Sequence, residues 1–328
     1  MTTSKLPSGK YRTRIYIDGK QVSFTAETKR ESIRLANQAM NMHSFSRITI
    51  MQCVDAYIES KEKMLSPATI REYKNTRKYF EPISHIKTDK IKRADIQKFV
   101  SDLSINHSPK TVKNIYGVLS ASLDLICDLR FKIDLPQKQL IEYNIPSERE
   151  FQLLIEHASP ELRKCILLAG IGTLRRGEIS ALTFADLNGN DLHVHSCMVK
   201  NEFNEWVIKQ PKTTTSNRHV ILPSFVVELL GEGKPDEHIV PMLPVSITDA
   251  FCDLRDSLGL HCRFHDLRHY SISLAHSLGI PDKVMMDKSG ICNDSTFKKI
   301  YRNTIEADAK TYNDLLNEYF EQKIKADV

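Results

Sequence analysis

Hydrophobic and polar residues alternate near the start of the chain in the pattern of a β-strand. Within residues 9–26, Ile15 and Ile17 fall on one face of an extended chain, whereas Arg12 and Arg14 fall on the other. This pattern predicts a small sheet with one apolar face that packs on the protein and one basic face that is exposed to solvent.

The turn and the helix that follow this strand are also marked in the sequence. Asp18-Gly19 is a strong signal for a β-hairpin, so a second strand is expected after it. The spacing of Thr28 and Glu31 predicts a capping box at the start of a helix that runs to about residue 42.

Residues 46–135 are predicted to form a compact helical module. Ser66-Pro67 and Ser108-Pro109 each combine an N-cap serine with a proline at the first helical position. After the second pair, apolar residues recur at helical spacing and are predicted to be core residues: Val112, Ile115, Leu119, Leu123 and Ile126.

The rest of the chain combines helices with short strands. Residues 134–138 have the composition of a linker, and the capping box of Ser147 and Glu150 begins a further helix. A long, mainly helical segment follows, with three inserted β segments at Leu192–Ser196, Trp206–Lys209 and Arg218–Leu222. The predicted fold class is therefore mainly α with small β elements (α+β).

The composition is that of a globular chain. Hydrophobic residues make up 41% of it, and no apolar run approaches the length of a membrane span. The first residues lack the apolar segment of a signal peptide, so we expect a cytoplasmic protein with no membrane partner. The seven cysteines are scattered and never spaced as Cys-x-x-Cys, which predicts reduced, mostly buried thiols and no structural zinc site.

The net charge of +5 conceals an asymmetry along the chain. Residues 1–140 carry a net charge of +11, whereas residues 141–328 carry −6. A strongly basic front part is typical of a chain that binds a polyanion such as DNA. A basic surface that is merely solvated is the alternative.

Candidate DNA-binding residues lie in both front segments. Arginines on an exposed sheet face suit insertion into a DNA groove, and a helix N-terminus beside Lys110 and Lys113 favours a phosphate. The candidates are Arg12, Arg14, Arg71, Lys74, Lys110 and Lys113. For the sheet, a hairpin whose charges only face solvent remains an open alternative.

Four spaced motifs in the C-terminal half carry candidate chemistry. In chain order they are Leu174-Arg175-Arg176-Gly177-Glu178, Pro211-Lys212-Thr213-Thr214-Thr215-Ser216-Asn217-Arg218, His265-Asp266-Leu267-Arg268-His269 and Lys299-Ile300-Tyr301-Arg302. In this order and spacing they resemble the first arginine motif, the lysine-bearing β-hairpin, the His-x-x-Arg box and the nucleophile segment of the tyrosine recombinases, the phage-type integrases. The resemblance covers essentially the whole chain and is weakest in the N-terminal sheet.

This resemblance implies a division into three domains. Residues 1–45 would form a three-stranded-sheet module that binds arm-type DNA sites, and residues 46–138 a helical core-binding domain. Residues 139–328 would form a mixed α/β catalytic domain of the tyrosine-recombinase type.

The resemblance also implies an activity and its partners. The expected activity is that of a site-specific DNA recombinase of a phage or mobile element, which cuts and rejoins DNA without metal, ATP or another cofactor. The expected partner is double-stranded attachment-site DNA, on which four copies assemble from free monomers. A DNA-bending protein and an excision factor are candidate accessory partners, and the expected location is the bacterial cytoplasm, in association with the nucleoid.

Five residues receive catalytic roles from the resemblance. Tyr301 would attack the scissile phosphorus and hold the DNA as a 3′-phosphotyrosine. Arg175 and Arg268 would bind the non-bridging oxygens and stabilise the charge of the transition state. His265 would exchange a proton with the tyrosine, and Lys212 would protonate the departing 5′-oxygen.

Glu178 and His269 are expected to support these groups. Glu178 follows Arg175 by one helical turn and would orient active-site groups by hydrogen bonding. His269 lies four residues after His265, which is also the spacing of metal ligands on a helix. Because no carboxylate accompanies the two histidines as it does in His-Glu-x-x-His, we expect a packed histidine and no metal site.

One position departs from the family pattern. The family usually has His or Trp after a glycine, roughly ten residues before the tyrosine, where it donates a hydrogen bond to the phosphate. Here Gly290 is followed by Ile291, which supplies packing but no donor. The hypothesis is an active but slower enzyme; alternatively, Lys288 or Asn293 supplies the donor, or this element of the site has decayed.

Two other functions stay open. A DNA-binding relative that kept the fold and lost catalysis would be consistent with Ile291. A topoisomerase of similar chemistry would relax supercoils without sequence choice, and the additional basic N-terminal module argues against it.

Overall fold

The computed structural model describes residues 1–17, 19–45, 48–138, 143–209, 217–295 and 297–298. By their internal contacts these residues fall into two compact units. The first unit holds residues 1–140 together with 200–205, and the second holds residues 141–199 and those from 206 onward. Lys212 and Tyr301 lie outside the described residues.

The first unit begins with a three-stranded antiparallel sheet in the order β1-β2-β3. Its strands are β1 (Thr2–Lys5), β2 (Tyr11–Ile17) and β3 (Lys20–Ala26), and helix α1 (Lys29–Phe45) follows them. Thr13 and Ile15 are buried whereas Arg14 is exposed, so the predicted alternation is confirmed. The side chain of Thr28 accepts a hydrogen bond from the backbone N–H of Glu31 at 3.2 Å, as predicted for the helix start.

The helical part of the first unit has one apolar core. It contains α2 (Ile50–Lys61), α3 (Pro67–Thr76), a 3₁₀ helix (Arg77–Ile83), α4 (Arg93–Asn106) and α5 (Pro109–Cys127). In both Ser-Pro pairs the serine is the N-cap and the proline is the first residue of the helix, as predicted, and the Ser108 hydroxyl accepts from the Thr111 N–H at 3.3 Å. Phe80, Ile96 and Leu119 are fully buried in this core. Residues 128–138 have no regular structure.

The described residues of the second unit contain seven α-helices. They are α6 (Glu148–His157), α7 (Pro160–Gly170), α8 (Arg176–Ile179), α9 (Ser224–Leu230), α10 (Pro244–Ser257), α11 (Asp266–Ser277) and α12 (Asp282–Ser289). The capping box of Ser147 and Glu150 is present at the start of α6. Ile166, Leu167 and Leu168 of α7 are buried at the centre of the core, so this helix is enclosed by the others.

The described part of the second unit also contains short strands. They are β4 (Leu187–Asn188), β5 (Asp191–Val194), β6 (Cys197–Lys200), β7 (Trp206–Lys209) and β8 (Arg218–Ile221), arranged as sheets β4-β5-β8 and β6-β7. The three predicted β segments are found as β5, β7 and β8, whereas β4 and β6 were not predicted. The fold class is α+β, as predicted. None of the helices in the described ranges combines the length and apolar character that a membrane crossing requires.

Candidate active site

Arg175 occupies a tight turn between α7 and α8. Its backbone N–H donates to the Glu178 carboxylate at 2.9 Å, and the same carboxylate accepts from the Arg175 guanidinium at 2.6 Å. Gly177 lets this turn lie against β6, because a Cβ there would come within 2.7 Å of the Met198 carbonyl oxygen. The arginine motif is thus fixed by its own glutamate and by a glycine that permits close packing.

Glu178 binds a second arginine as well. Arg218 donates to its two carboxylate oxygens at 2.9 and 3.3 Å, and both side chains are almost fully buried. Burial raises the pKa of Glu178, but the hydrogen bonds and charge of Arg218, with the charge of Arg175, outweigh it, so the pKa ends below the ordinary value. The carboxylate therefore stays ionised between the two guanidinium groups.

Arg268 is the largest fully buried side chain among the described residues, with 1% of its surface exposed. Its guanidinium donates to the carbonyl oxygens of Thr173 and Ser289. Thr173 has a φ of +60°, an uncommon conformation for a non-glycine residue. Burial, followed by the charge of Arg175, lowers the pKa of Arg268, although an arginine in a protein stays charged.

Three arginines meet at the C-terminal end of α12. Three successive carbonyl groups accept from them: that of Lys288 from Arg218 at 2.8 Å, that of Ser289 from Arg268, and that of Gly290 from Arg175 at 3.1 Å. The carbonyl end of a helix carries partial negative charge, which attracts cations. The end of α12 therefore gathers side chains from three distant parts of the sequence.

His265 immediately precedes α11 and lines the same cavity as Arg175. This cavity of about 490 Å³ is also lined by Arg176, Arg255 and Arg263. His265 is an exposed residue, but desolvation of its imidazole, followed by the charges of Arg268 and Arg175, lowers its pKa to about 4. The imidazole is therefore neutral at physiological pH and able to accept a proton.

The turn that presents His265 is held by a buried carboxylate. Asp266 is fully buried and accepts from the backbone N–H of Arg263 at 2.9 Å and from its guanidinium at 2.9 and 3.0 Å. These bonds fix the residues on both sides of His265, so the imidazole is presented from a rigid turn.

His269 is packed, as predicted, between two rings. Its ring packs edge to face against the ring of His265, with 4.9 Å between the ring centroids, and against the ring of Tyr143, with 4.7 Å between the centroids. Its buried Nδ1 has no hydrogen-bond partner among the described residues. Burial, followed by the charge of His265, lowers the pKa of His269 to about 4. Within the described ranges, no three His, Cys, Asp or Glu side chains are grouped as metal ligands.

The packing of His269 predicts a loss of stability in acid. Because its pKa falls from 6.5 to about 4 on folding, the unfolded chain binds a proton more readily, and the free energy of unfolding decreases as the pH falls from 6.5 towards 4. The free energy of unfolding should decrease by on the order of 3 kcal/mol between pH 7 and pH 4. Denaturant titrations of the wild type and His269→Gln at several pH values measure it; an equal pH dependence in the two proteins would contradict the assignment.

Ile291 lies directly after the end of α12. Its side chain packs against an apolar cluster formed by Ile272, Ala275, Met285 and Phe297. Of the two candidate replacement donors, Lys288 is half-buried with its pKa lowered by that burial, and the side-chain oxygen of Asn293 accepts from Ser295. The apolar contacts of Ile291 agree with its expected role in packing.

The remaining predicted site residues lie in the first unit. Arg14, Lys110 and Lys113 are exposed, and Arg12 is half-buried on β2. Arg71 and Lys74 on α3 form ion pairs with Glu72 and Glu62, each at 2.8 Å. Their predicted contacts with DNA stay predictions.

Arg218 was not predicted as a site residue. It stands within the predicted lysine-bearing segment, at the inward-facing first position of β8, two residues before the buried Val220. A charged residue in phase with the apolar positions of a strand requires a buried partner, and this was the available signal. The partner itself, Glu178, could not be read from local sequence.

Comparisons with known proteins identify the fold. No protein-family model and no curated protein sequence matches the chain. A structure of the Tn1549 transposon integrase in complex with transposon right-end DNA is 18% identical, with a TM-score of 0.65 over 80% of this chain and 100% of that one. A lambda integrase dimer bound to a core site is 17% identical, with a TM-score of 0.57 over 91% and 94% of the two chains.

A lambda integrase tetramer bound to a Holliday junction gives a similar result, with 18% identity and a TM-score of 0.60 over 89% of this chain and 96% of that one. At such identities the likeness concerns the fold. Both integrases are tyrosine recombinases, the family that the four sequence motifs resemble. This chain therefore has the tyrosine-recombinase fold.

Proposed function

We propose that this chain is a site-specific DNA recombinase of the integrase type, which cuts and rejoins DNA through a covalent phosphotyrosine intermediate. The observation that carries the proposal is the convergence of Arg175 and Arg268 on the end of α12, with His265 beside Arg175, in a fold shared with integrases. The arrangement supplies positive charge and a proton acceptor in one place.

The arginine cluster suits phosphodiester chemistry. A phosphodiester resists attack because its charge repels nucleophiles, and further charge builds up in the transition state. The three guanidinium groups and the single carboxylate of Glu178 leave the cluster with a net positive charge. Fixed cations in a partly dry site stabilise such a transition state more than water does.

Proton transfer completes the proposed mechanism. The neutral imidazole of His265 would accept the proton of Tyr301 as the tyrosine oxygen attacks phosphorus. The 5′-oxygen would leave with a proton from Lys212, and the DNA would remain as a 3′-phosphotyrosine. That linkage conserves the energy of the broken bond for rejoining, so the proposed reaction consumes no ATP.

We extend the proposal to the DNA contacts of the first unit. The exposed Arg14, Lys110 and Lys113 are available to phosphates, and Arg12 lies on the same sheet face as Arg14. Arg71 and Lys74 would exchange their glutamate partners for phosphates on binding. Residues 1–45 would contact arm-type sites, and residues 46–138 would contact the core site together with the catalytic domain, residues 139–328.

The proposed assembly follows the same relatives. Because lambda integrase is found as a tetramer on a Holliday junction, we propose that four copies of this chain assemble on their attachment sites from free monomers. The proposed biological setting is a phage or mobile element in the bacterial cytoplasm, with a DNA-bending protein and an excision factor as accessory partners.

A second candidate function is DNA binding without catalysis. The observation in its favour is Ile291, whose side chain packs in an apolar cluster and offers no hydrogen bond to a phosphate. The charged groups of the cluster argue against this candidate, because their burial is costly and a protein that only binds DNA has no evident use for it.

The two functions and the topoisomerase alternative are separated by covalent trapping. The wild-type chain is incubated with nicked duplexes of two kinds, one selected by the protein from a randomised pool and one unrelated, and the adducts are separated under denaturing conditions. The recombinase predicts an adduct on the selected duplex only. An adduct of equal yield on both duplexes would favour a topoisomerase, and no adduct on either would favour the binding protein.

A further inference from the structure

Arg218 begins strand β8 with its side chain directed into the protein. Burial alternates along the strand, so Arg218 and Val220 face inward while His219 and Ile221 face outward. Only 5% of the Arg218 side chain is exposed. A buried guanidinium is tolerated only when its charge and its N–H groups are matched.

The partners of Arg218 are parts of the proposed active site. Two of its nitrogens donate to the two oxygens of Glu178, at 2.9 and 3.3 Å, and its Nε donates to the Lys288 carbonyl oxygen at 2.8 Å. One side chain thus connects the arginine motif with the end of α12.

Glu178 is shared between Arg218 and Arg175. The carboxylate accepts from the Arg175 guanidinium at 2.6 Å while it binds Arg218 with both oxygens. If Glu178 bonded to Arg175 alone, its negative charge would neutralise the positive charge of Arg175. Because Glu178 bonds to Arg218 as well, it can still orient Arg175 while the two arginines together keep a net positive charge for a phosphate.

We propose that Arg218 is a positioning residue for phosphodiester cleavage, which acts by sharing Glu178 so that Arg175 is both oriented and left with surplus positive charge. The inference rests on the proposed function, since it concerns the same site. Arg218 itself is almost fully buried against Glu178, so the inference does not require it to touch DNA.

The test compares Arg218→Gln with a matched structural arginine. Arg163 donates to three carbonyl oxygens, those of Ile155, Glu156 and Ala158, and forms no bond with Glu178 or α12. Arg163→Gln therefore removes a carbonyl-bound arginine of the same unit without affecting the cluster. Thermal melting and DNA affinity show whether each variant is folded and binds DNA.

The distinguishing measurement is single-turnover cleavage of two substrates, one with a normal scissile phosphodiester and one with an uncharged methylphosphonate at that position. Arg218→Gln is expected to cleave the phosphodiester roughly 10²-fold more slowly than the wild type, with unchanged DNA affinity. The methylphosphonate has no anionic oxygen for Arg175 to neutralise. The cleavage rate of Arg218→Gln should therefore fall much less on this substrate than on the phosphodiester, and the same should hold for Arg175→Ala. Arg163→Gln should cleave the phosphodiester at the wild-type rate.

Three results would overturn the inference: an unchanged rate of Arg218→Gln on the phosphodiester, an equal loss on both substrates, or the same loss in Arg163→Gln. If Arg218→Gln does not fold, Arg218→Lys keeps the charge but not the two-pronged contact. Arg218→Lys should reduce the cleavage rate less than Arg218→Gln. When Glu178→Gln is already present, adding Arg218→Lys should not reduce the rate further; a further reduction would contradict action through Glu178. Absence of cleavage by the wild type on its selected site would instead overturn the proposed function, and this inference with it.

Discussion

Arg268→Gln is expected to reduce the single-turnover rate of DNA cleavage on the order of 10³-fold, because it removes one of the cations proposed to stabilise the transition state. The change should also destabilise the second unit. Arg268 is 1% exposed, and its guanidinium is bonded to the Thr173 and Ser289 carbonyl groups. A buried carbonyl without a donor costs about 1–3 kcal/mol.

Rate and stability must be measured separately for this variant. Cleavage is measured at a temperature well below the melting point of Arg268→Gln, with Arg163→Gln as the control that loses carbonyl bonds outside the cluster. Arg268→Lys should regain part of the charge but not both carbonyl bonds, and its rate should be intermediate. A folded Arg268→Gln that cleaves at the wild-type rate would exclude Arg268 from catalysis.

The second large effect is a gain of activity. Ile291→Trp is expected to raise the cleavage rate, by on the order of 10²-fold if the indole N–H reaches the phosphate, since that is the usual effect of one such donor. Ile291 lies one residue beyond Gly290, whose carbonyl oxygen accepts from Arg175 at 3.1 Å. A donor at this position therefore starts close to the proposed phosphate site.

Ile291→Phe is the matched control for this gain. Phenylalanine brings a large aromatic ring to the same apolar cluster, with no N–H to donate. The gain should appear with tryptophan and not with phenylalanine. An unchanged or reduced cleavage rate for a folded Ile291→Trp variant would contradict the hypothesis that a hydrogen-bond donor is missing at Ile291.

Part of the fold follows from local sequence rules, and part of the candidate site follows from the family resemblance. Thr28 and Ser147 mark the starts of helices, and both helices begin where expected. Ser147 forms a complete capping box with Glu150, and the Thr28 hydroxyl accepts from the backbone N–H of Glu31. Arg175, His265 and Arg268 were identified by motif order and spacing, and the fold brings them to one region. The helix starts depend on residues close in sequence, so one sequence is enough to predict them. The three site residues were recognised through their resemblance to the motifs of a known family.

Other features depend on contacts between distant residues. Arg218 and Glu178 are 40 positions apart in the sequence, and no local pattern predicts that they pair. The carbonyl groups of Lys288, Ser289 and Gly290 accept from arginines, but backbone groups have no sequence signature. Strand β4 has only two residues, too few for an alternating pattern to be recognised.

The proposed mechanism is tested most directly by identifying the amino acid that becomes joined to DNA. The wild-type protein is trapped on a nicked, selected duplex, the complex is digested with protease and nuclease, and the linked peptide is sequenced by mass spectrometry. We expect a nucleotide joined through its 3′-phosphate to Tyr301, and no adduct from Tyr301→Phe although this variant still binds the duplex. Attachment through a 5′-phosphate, attachment to another residue, or an equal adduct yield from Tyr301→Phe would contradict the proposed mechanism.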